Sequence, residues 1–141
     1  METIINKLSG RETVTCEEYL ETYASEIIPE SEKVFVRDFL FSILGEEKMP
    51  QVVPQYPFID SEGKSRRIDF GIITDEGHKI AFEVNGETYH GEGIIPSAQF
   101  DDNLFRQNEI LFHGWVLRRY SYNQLLDPVW RTRVANEIRL T

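Results

Sequence analysis

Arg67-Ile68-Asp69-Phe70-Gly71-Ile72-Ile73 and Lys79-Ile80-Ala81-Phe82-Glu83-Val84-Asn85 are two apolar runs, each interrupted by one carboxylate. Residues two apart share a face of a strand, so Ile68, Phe70 and Ile72 are expected on one core face, and Ile80, Phe82 and Val84 likewise. Asp69 then falls with Arg67 and Gly71 on the opposite face, and Glu83 with Ala81 and Asn85. Thr74-Asp75-Glu76-Gly77 between them has turn composition, which predicts an antiparallel hairpin with both acids over one cleft. A bare carboxylate in a buried strand is costly unless paired. Two acids and an amide oxygen on adjacent strands form a hard, all-oxygen corner suited to Mg²⁺ or Mn²⁺.

Outward from this hairpin the chain alternates. Thr15 and Glu18 resemble a capping box opening a short helix to about Ala24. A second helix is predicted from Ser31, with Val34, Phe35, Phe39, Ile43 and Leu44 at helical spacing until Gly45. Glu32 lies along that inward stripe, although a Glu in a first turn also complements the helix dipole. Gln51 to Phe58 reads as a strand confined to a sheet edge by Pro54 and Pro57. Gly86 to Ser97 reads as a glycine-rich loop. A long helix from about Ala98 to His113 is expected to bury Phe100, Leu104, Asn108, Leu111 and Phe112, with Asp101 and Asp102 capping it. A strand at 115–120 and a final helix opened by Asp127-Pro128 complete the order.

The 141 residues suffice for one core. The lone Cys16 cannot form an internal disulfide, and Glu17 and Glu18 beside it oppose a reactive thiolate. With no secretory pattern and no apolar stretch of membrane-spanning length, the composition points to a soluble cytoplasmic protein without a membrane partner. Net charge is −9, but residues 1–63 hold 13 acids against 5 bases, and residues 64–141 hold 11 against 10. Bases therefore gather in the half that carries the acidic corner.

The stretch from about Ser31 to Leu126 resembles the PD-(D/E)XK nuclease superfamily, and within it the small endonucleases similar to very-short-patch mismatch-repair enzymes. The matching pieces are Ser31-Glu32, Arg67-Ile68-Asp69-Phe70, Glu83-Val84-Asn85-Gly86 with Tyr89-His90, the helix bearing Asp101, Asp102 and Arg106, and Gly114-Trp115-Val116-Leu117-Arg118. The resemblance implies a restriction-endonuclease-like αβββαβ core with a mixed sheet over residues 29–141, preceded by a helical extension over 1–28. It implies Mg²⁺- or Mn²⁺-dependent cleavage of DNA, with Asp69, Glu83, Glu32 and the Val84 carbonyl as metal ligands.

Asn85 stands where the family has its lysine. His90, Arg106 and Gln107 are the nearby side chains able to take over that role, His90 being favoured. Arg66, Arg67, Arg106, Gln107, Arg118 and Arg119 are the expected contacts to nucleic acid. On a strand Arg118 and Arg119 face opposite ways, so at most one reaches the cleft. The loss of the lysine leaves a second reading, a catalytically silent domain that binds nucleic acid or protein. In a third, the acids are structural, with Asp69 paired to Arg67 or Arg119, and Glu83 to Lys79 or Arg118. Fusion to, or association with, a helicase or methyltransferase is what the resemblance suggests for the wider context.

Overall fold

A computed structural model describes residues 6–85 and 97–141. Helix α1 (Cys16–Thr22) opens with the expected capping box, in which Thr15 and Glu18 satisfy each other's backbone N–H groups. Helix α2 (Glu30–Phe35) runs through a π-helical turn (Val36–Leu40) into α3 (Phe41–Lys48). The chain leaves helical geometry at Gly45, whose φ of 82° favours glycine. Strands β1 (Val53–Ile59), β2 (Ser65–Ile73) and β3 (Lys79–Asn85) follow. After them come α4 (Ser97–Phe112), β4 (Val116–Ser121), α5 (Tyr122–Leu126) and α6 (Pro128–Leu140).

The four strands form one mixed sheet in the order β1-β2-β3-β4. The hairpin pairs antiparallel as predicted, Phe70 facing Phe82 and Ile72 facing Ile80. Pro54 and Pro57 do lie on an edge strand, and β4 joins the far side of β3 in parallel. A parallel neighbour requires a crossover, which α4 supplies. The protein is thus α/β, with a four-stranded mixed sheet flanked by helices.

Two apolar clusters cover the sheet. In the larger, Phe35 stands at the centre of an aromatic group, its ring within 6 Å of those of Phe39, Phe70, Phe82 and Tyr120. Leu8, Val14, Tyr19, Tyr23 and Ile27 are buried in this same cluster, so the first 28 residues contribute to the main core. The smaller cluster joins Ile68, Ala81, Ile110 and Trp115.

That second cluster overturns part of the simple alternation. Ile68 packs with Ala81 and Ile110, whereas Phe70 and Ile72 belong to the Phe35 cluster, so the two-residue repeat breaks at Asp69. On the neighbouring strand at the same level, Gln55 has a left-handed φ of 55°. Gly71 is needed next to this break, because a Cβ there would come within 3.0 Å of the Tyr56 side chain.

Helix α4 also differs from expectation. It buries Ile110 and Glu109, while Phe100, Leu104, Leu111 and Phe112 are all exposed. Its contact with the sheet runs through Ile110 onto Ile68, Ala81 and Trp115, which rotates the predicted stripe outward. The helix starts at Ser97, so Asp101 and Asp102 lie inside it instead of capping it. Helix α5 was not foreseen, although Ser121 and Gln124 form a second capping box. Asp127 caps α6 as expected, accepting from the Val129 and Trp130 N–H groups.

Candidate active site

Asp69 and Glu83 meet where the β2–β3 ladder opens. The last regular pair is Phe70 with Phe82; one residue further, side chains replace backbone bonding. Glu83 Oε2 accepts the Asp69 N–H at 2.7 Å, and Asp69 Oδ2 accepts the Val84 N–H at 2.9 Å. Each acid therefore satisfies a backbone donor next to the other, which locks both carboxylates into the gap.

Glu32 approaches from α2 and is only 7% exposed. Its Oε1 is buried and has no hydrogen-bond partner among the described residues. Burial first, and then the charges of Asp69 and Glu83, push the Glu32 carboxyl up to about 8. Asp69 is pushed up to about 7, again mainly by burial and then by Glu83, against the opposing pull of the Val84 N–H, Arg106 and Arg119. Acids from three elements thus act on one another, and the cations among the described residues only partly offset them.

The positive charge present comes from α4 and β4. Arg106 Nη2 donates to Glu83 Oε1, and its Nε donates to the Arg67 carbonyl at 3.2 Å. Arg119 faces Glu83 across the parallel pair and donates to Gln107 Oε1. Asn103, Arg106 and Arg119 join Asp69, Glu83 and Asn85 around a polar cleft of about 210 Å³. Asn103 was not anticipated, although it stands one helical turn before Arg106, a spacing that puts both on one face.

Lys79 and Arg118, the partners weighed from the sequence for Glu83, are bonded elsewhere. Glu83 is matched to Arg106, whereas Lys79 donates to the His113 carbonyl and lies over the Trp115 ring. Of the two strand arginines, Arg119 takes the cleft side. Arg118 instead donates to Thr141 and lies 3.9 Å from Glu137. Arg66 is also away from the cleft, bonded to Asp60 and, through both terminal nitrogens, to Asp102. Arg67 borders a separate cavity beside Glu32. Asn85 borders the cleft, and His90 lies outside the described residues.

Among the described residues no three His, Cys, Asp or Glu side chains converge as they stand on a point where a metal ion could sit. Both Glu83 oxygens are engaged, one by a backbone N–H and one by Arg106. The donor chemistry nevertheless suits a hard divalent ion: carboxylate oxygens that repel one another, plus one buried oxygen without a partner among the described residues. Arg106 holds the position of the counter-charge beside Glu83. Among the described residues no helix is long and apolar enough to cross a membrane. No protein-family model, no curated protein and no solved structure matches this chain.

Proposed function

We propose that the protein is a Mg²⁺- or Mn²⁺-dependent DNA endonuclease of the restriction-endonuclease-like type. The observation that carries the reading is the proximity of Glu32, Asp69 and Glu83, from α2, β2 and β3, where Glu32 and Asp69 are both pushed up although Arg106 is paired with Glu83. A purely structural trio would be expected to have its charges matched, because uncompensated buried carboxylates only cost stability.

Asp69, Glu83 and the Val84 carbonyl would hold the ion, with Glu32 beside them. Such an ion, when bound, polarises the scissile phosphate and lowers the pKa of a bound water. The remaining roles belong to the chain. Glu32 keeps its proton at neutral pH beside Asp69 and Glu83, and gives it up when further positive charge is brought to them. Arg106 and Arg119 line the cleft and offer guanidinium groups to backbone phosphates. With Asn85 in the lysine's place, Arg106 is the cation nearest the acids.

The test is Mn²⁺ binding by electron paramagnetic resonance together with nicking of supercoiled plasmid. Wild-type protein is expected to do both, and Asp69→Ala and Glu83→Ala to lose both, nicking falling by at least about a hundredfold. Nicking that persists unchanged in both variants overturns the site. A wild-type protein that neither binds Mn²⁺ nor nicks establishes the catalytically silent reading instead.

A further inference from the structure

A second cavity, of about 760 Å³, lies beside the acids. Pro29, Pro54 and Pro57 give it apolar walls, and Gln55 and Arg67 supply polar groups. Glu32 lines this cavity and also feels the charges of Asp69 and Glu83, which line the neighbouring cleft, so one side chain links the two.

Gln55 is the unusual member. Among the described residues it is the one non-glycine with positive φ, a conformation glycine would adopt without strain. The register is not the reason for it: Pro54 pairs with Phe70 and Tyr56 with Ile68, so the strands keep step on either side. Gln55 stands on the rung of Asp69, one level of the sheet shared by the strained residue and the reactive acid. A strained backbone at the wall of a cavity, carrying an amide with both donors and an acceptor, is a device for presenting that amide to a ligand.

The cavity has the size of one that encloses a small ligand and cannot admit a duplex. Of its acids, Glu26 is paired with Lys7 at 2.7 Å and Glu32 is pushed up by burial, so this part of the wall suits an uncharged group better than a phosphate. Its prolines suit the face of an uncharged ring, and the Arg67 guanidinium suits a phosphate outside it. We propose that this cavity receives one unpaired nucleobase of a DNA strand, its edge read by Gln55, with the adjoining phosphate delivered to Asp69 and Glu83. The preferred substrate is then single-stranded or locally opened DNA. This rests on the nuclease reading for the fate of the phosphate, but the binding itself needs no metal.

Fluorescence anisotropy with a labelled single-stranded oligonucleotide and its duplex, in EDTA and low salt, tests it. The single strand is expected to bind at least about tenfold tighter than the duplex. Gln55→Gly is expected to weaken the single strand by about fivefold to tenfold, while its thermal midpoint holds or rises as the strain is released. Ile28→Glu, at an exposed residue of the same wall, should weaken it too without disturbing the fold. Equal or tighter duplex binding, or single-strand affinity unchanged in both variants, overturns the proposal. Strand binding that depends on Gln55, in a protein that neither binds Mn²⁺ nor nicks, upholds the base site and defeats the nuclease reading.

Discussion

Two groups of carboxylates meet strand β2, and they are solved in opposite ways. At its start Asp60 is enclosed by donors: Oδ1 accepts the Glu62 and Lys64 N–H groups, and Oδ2 accepts Arg66 Nε, each at 2.9 Å. The Lys64 N–H above all, and then Arg66, hold Asp60 below the usual carboxylate range, and Arg66 does the same for Asp102. At the break in the same strand, Asp69 shares its surroundings with Glu83 and Glu32 and is pushed up. One group is a finished structural joint. The other crowds acids together and only partly offsets them with Arg106 and Arg119.

The contrast can be broken from its stronger side first. Arg66→Met leaves Asp60 enclosed without its side-chain partner, and the thermal midpoint at neutral pH is expected to fall by roughly 5 °C or more. A midpoint that does not move would mean that Asp60 is not held by Arg66 and that the two groups differ less than their geometry implies.

The second prediction concerns pH. Glu32 moves from a usual value of 4.5 to about 8 in the folded protein, so between these values the folded state binds the extra proton. Stability is therefore greatest at the acid end of that window and is lost as pH rises toward 8; Asp69, raised to about 7, acts in the same direction. Asp60 and Asp102, lowered by their partners, act in the opposite sense and lose their contribution on acidification. Glu32→Gln should flatten the decline and gain about 2 kcal/mol at pH 8, solvent screening allowed for, as read by urea unfolding across pH. An unchanged slope would show that Glu32 is not the group responsible.

The third and smallest effect sharpens the role of Arg106. If its guanidinium stands in for a cation at Glu83, Arg106→Gln should bind Mn²⁺ about tenfold more tightly while its metal-free form becomes less stable. Titration calorimetry reads the first change and thermal melting the second. Weaker Mn²⁺ binding in the variant would make Arg106 a support of the metal site, not a competitor for it.

Much of this arrangement was legible in the sequence. The hairpin, the proline-marked edge and the Asp127-Pro128 helix start follow from local patterns, because turns and caps are set by a few neighbouring residues. Asp69 and Glu83 stood out as acids within apolar runs, and Glu32 as one along an inward helical stripe. The break at Asp69 did not, since alternation assumes a regular strand and the side-chain clasp replaces the ladder only once β3 is in place. The buried face of α4 was misread for a similar reason: Ile110 is selected by Ile68 and Ala81, distant in sequence, over the more numerous apolar residues around it. Asp102, the second partner of Arg66, and Glu83, the partner of Arg106, lie 36 and 23 residues away, beyond the reach of any local rule.

The first residues of the chain carry a last consequence. Tyr19 donates its hydroxyl to the Val52 carbonyl at 2.7 Å, immediately before the edge strand, and the Val14 N–H is bonded to Glu46. Trimming the protein back to the stretch from Ser31 onward would strip five buried side chains from the main cluster and leave the Val52 carbonyl unanswered. A version begun at Ser31 is therefore expected to melt well below the full chain, and a graft of this domain gains stability by carrying that leading segment with it.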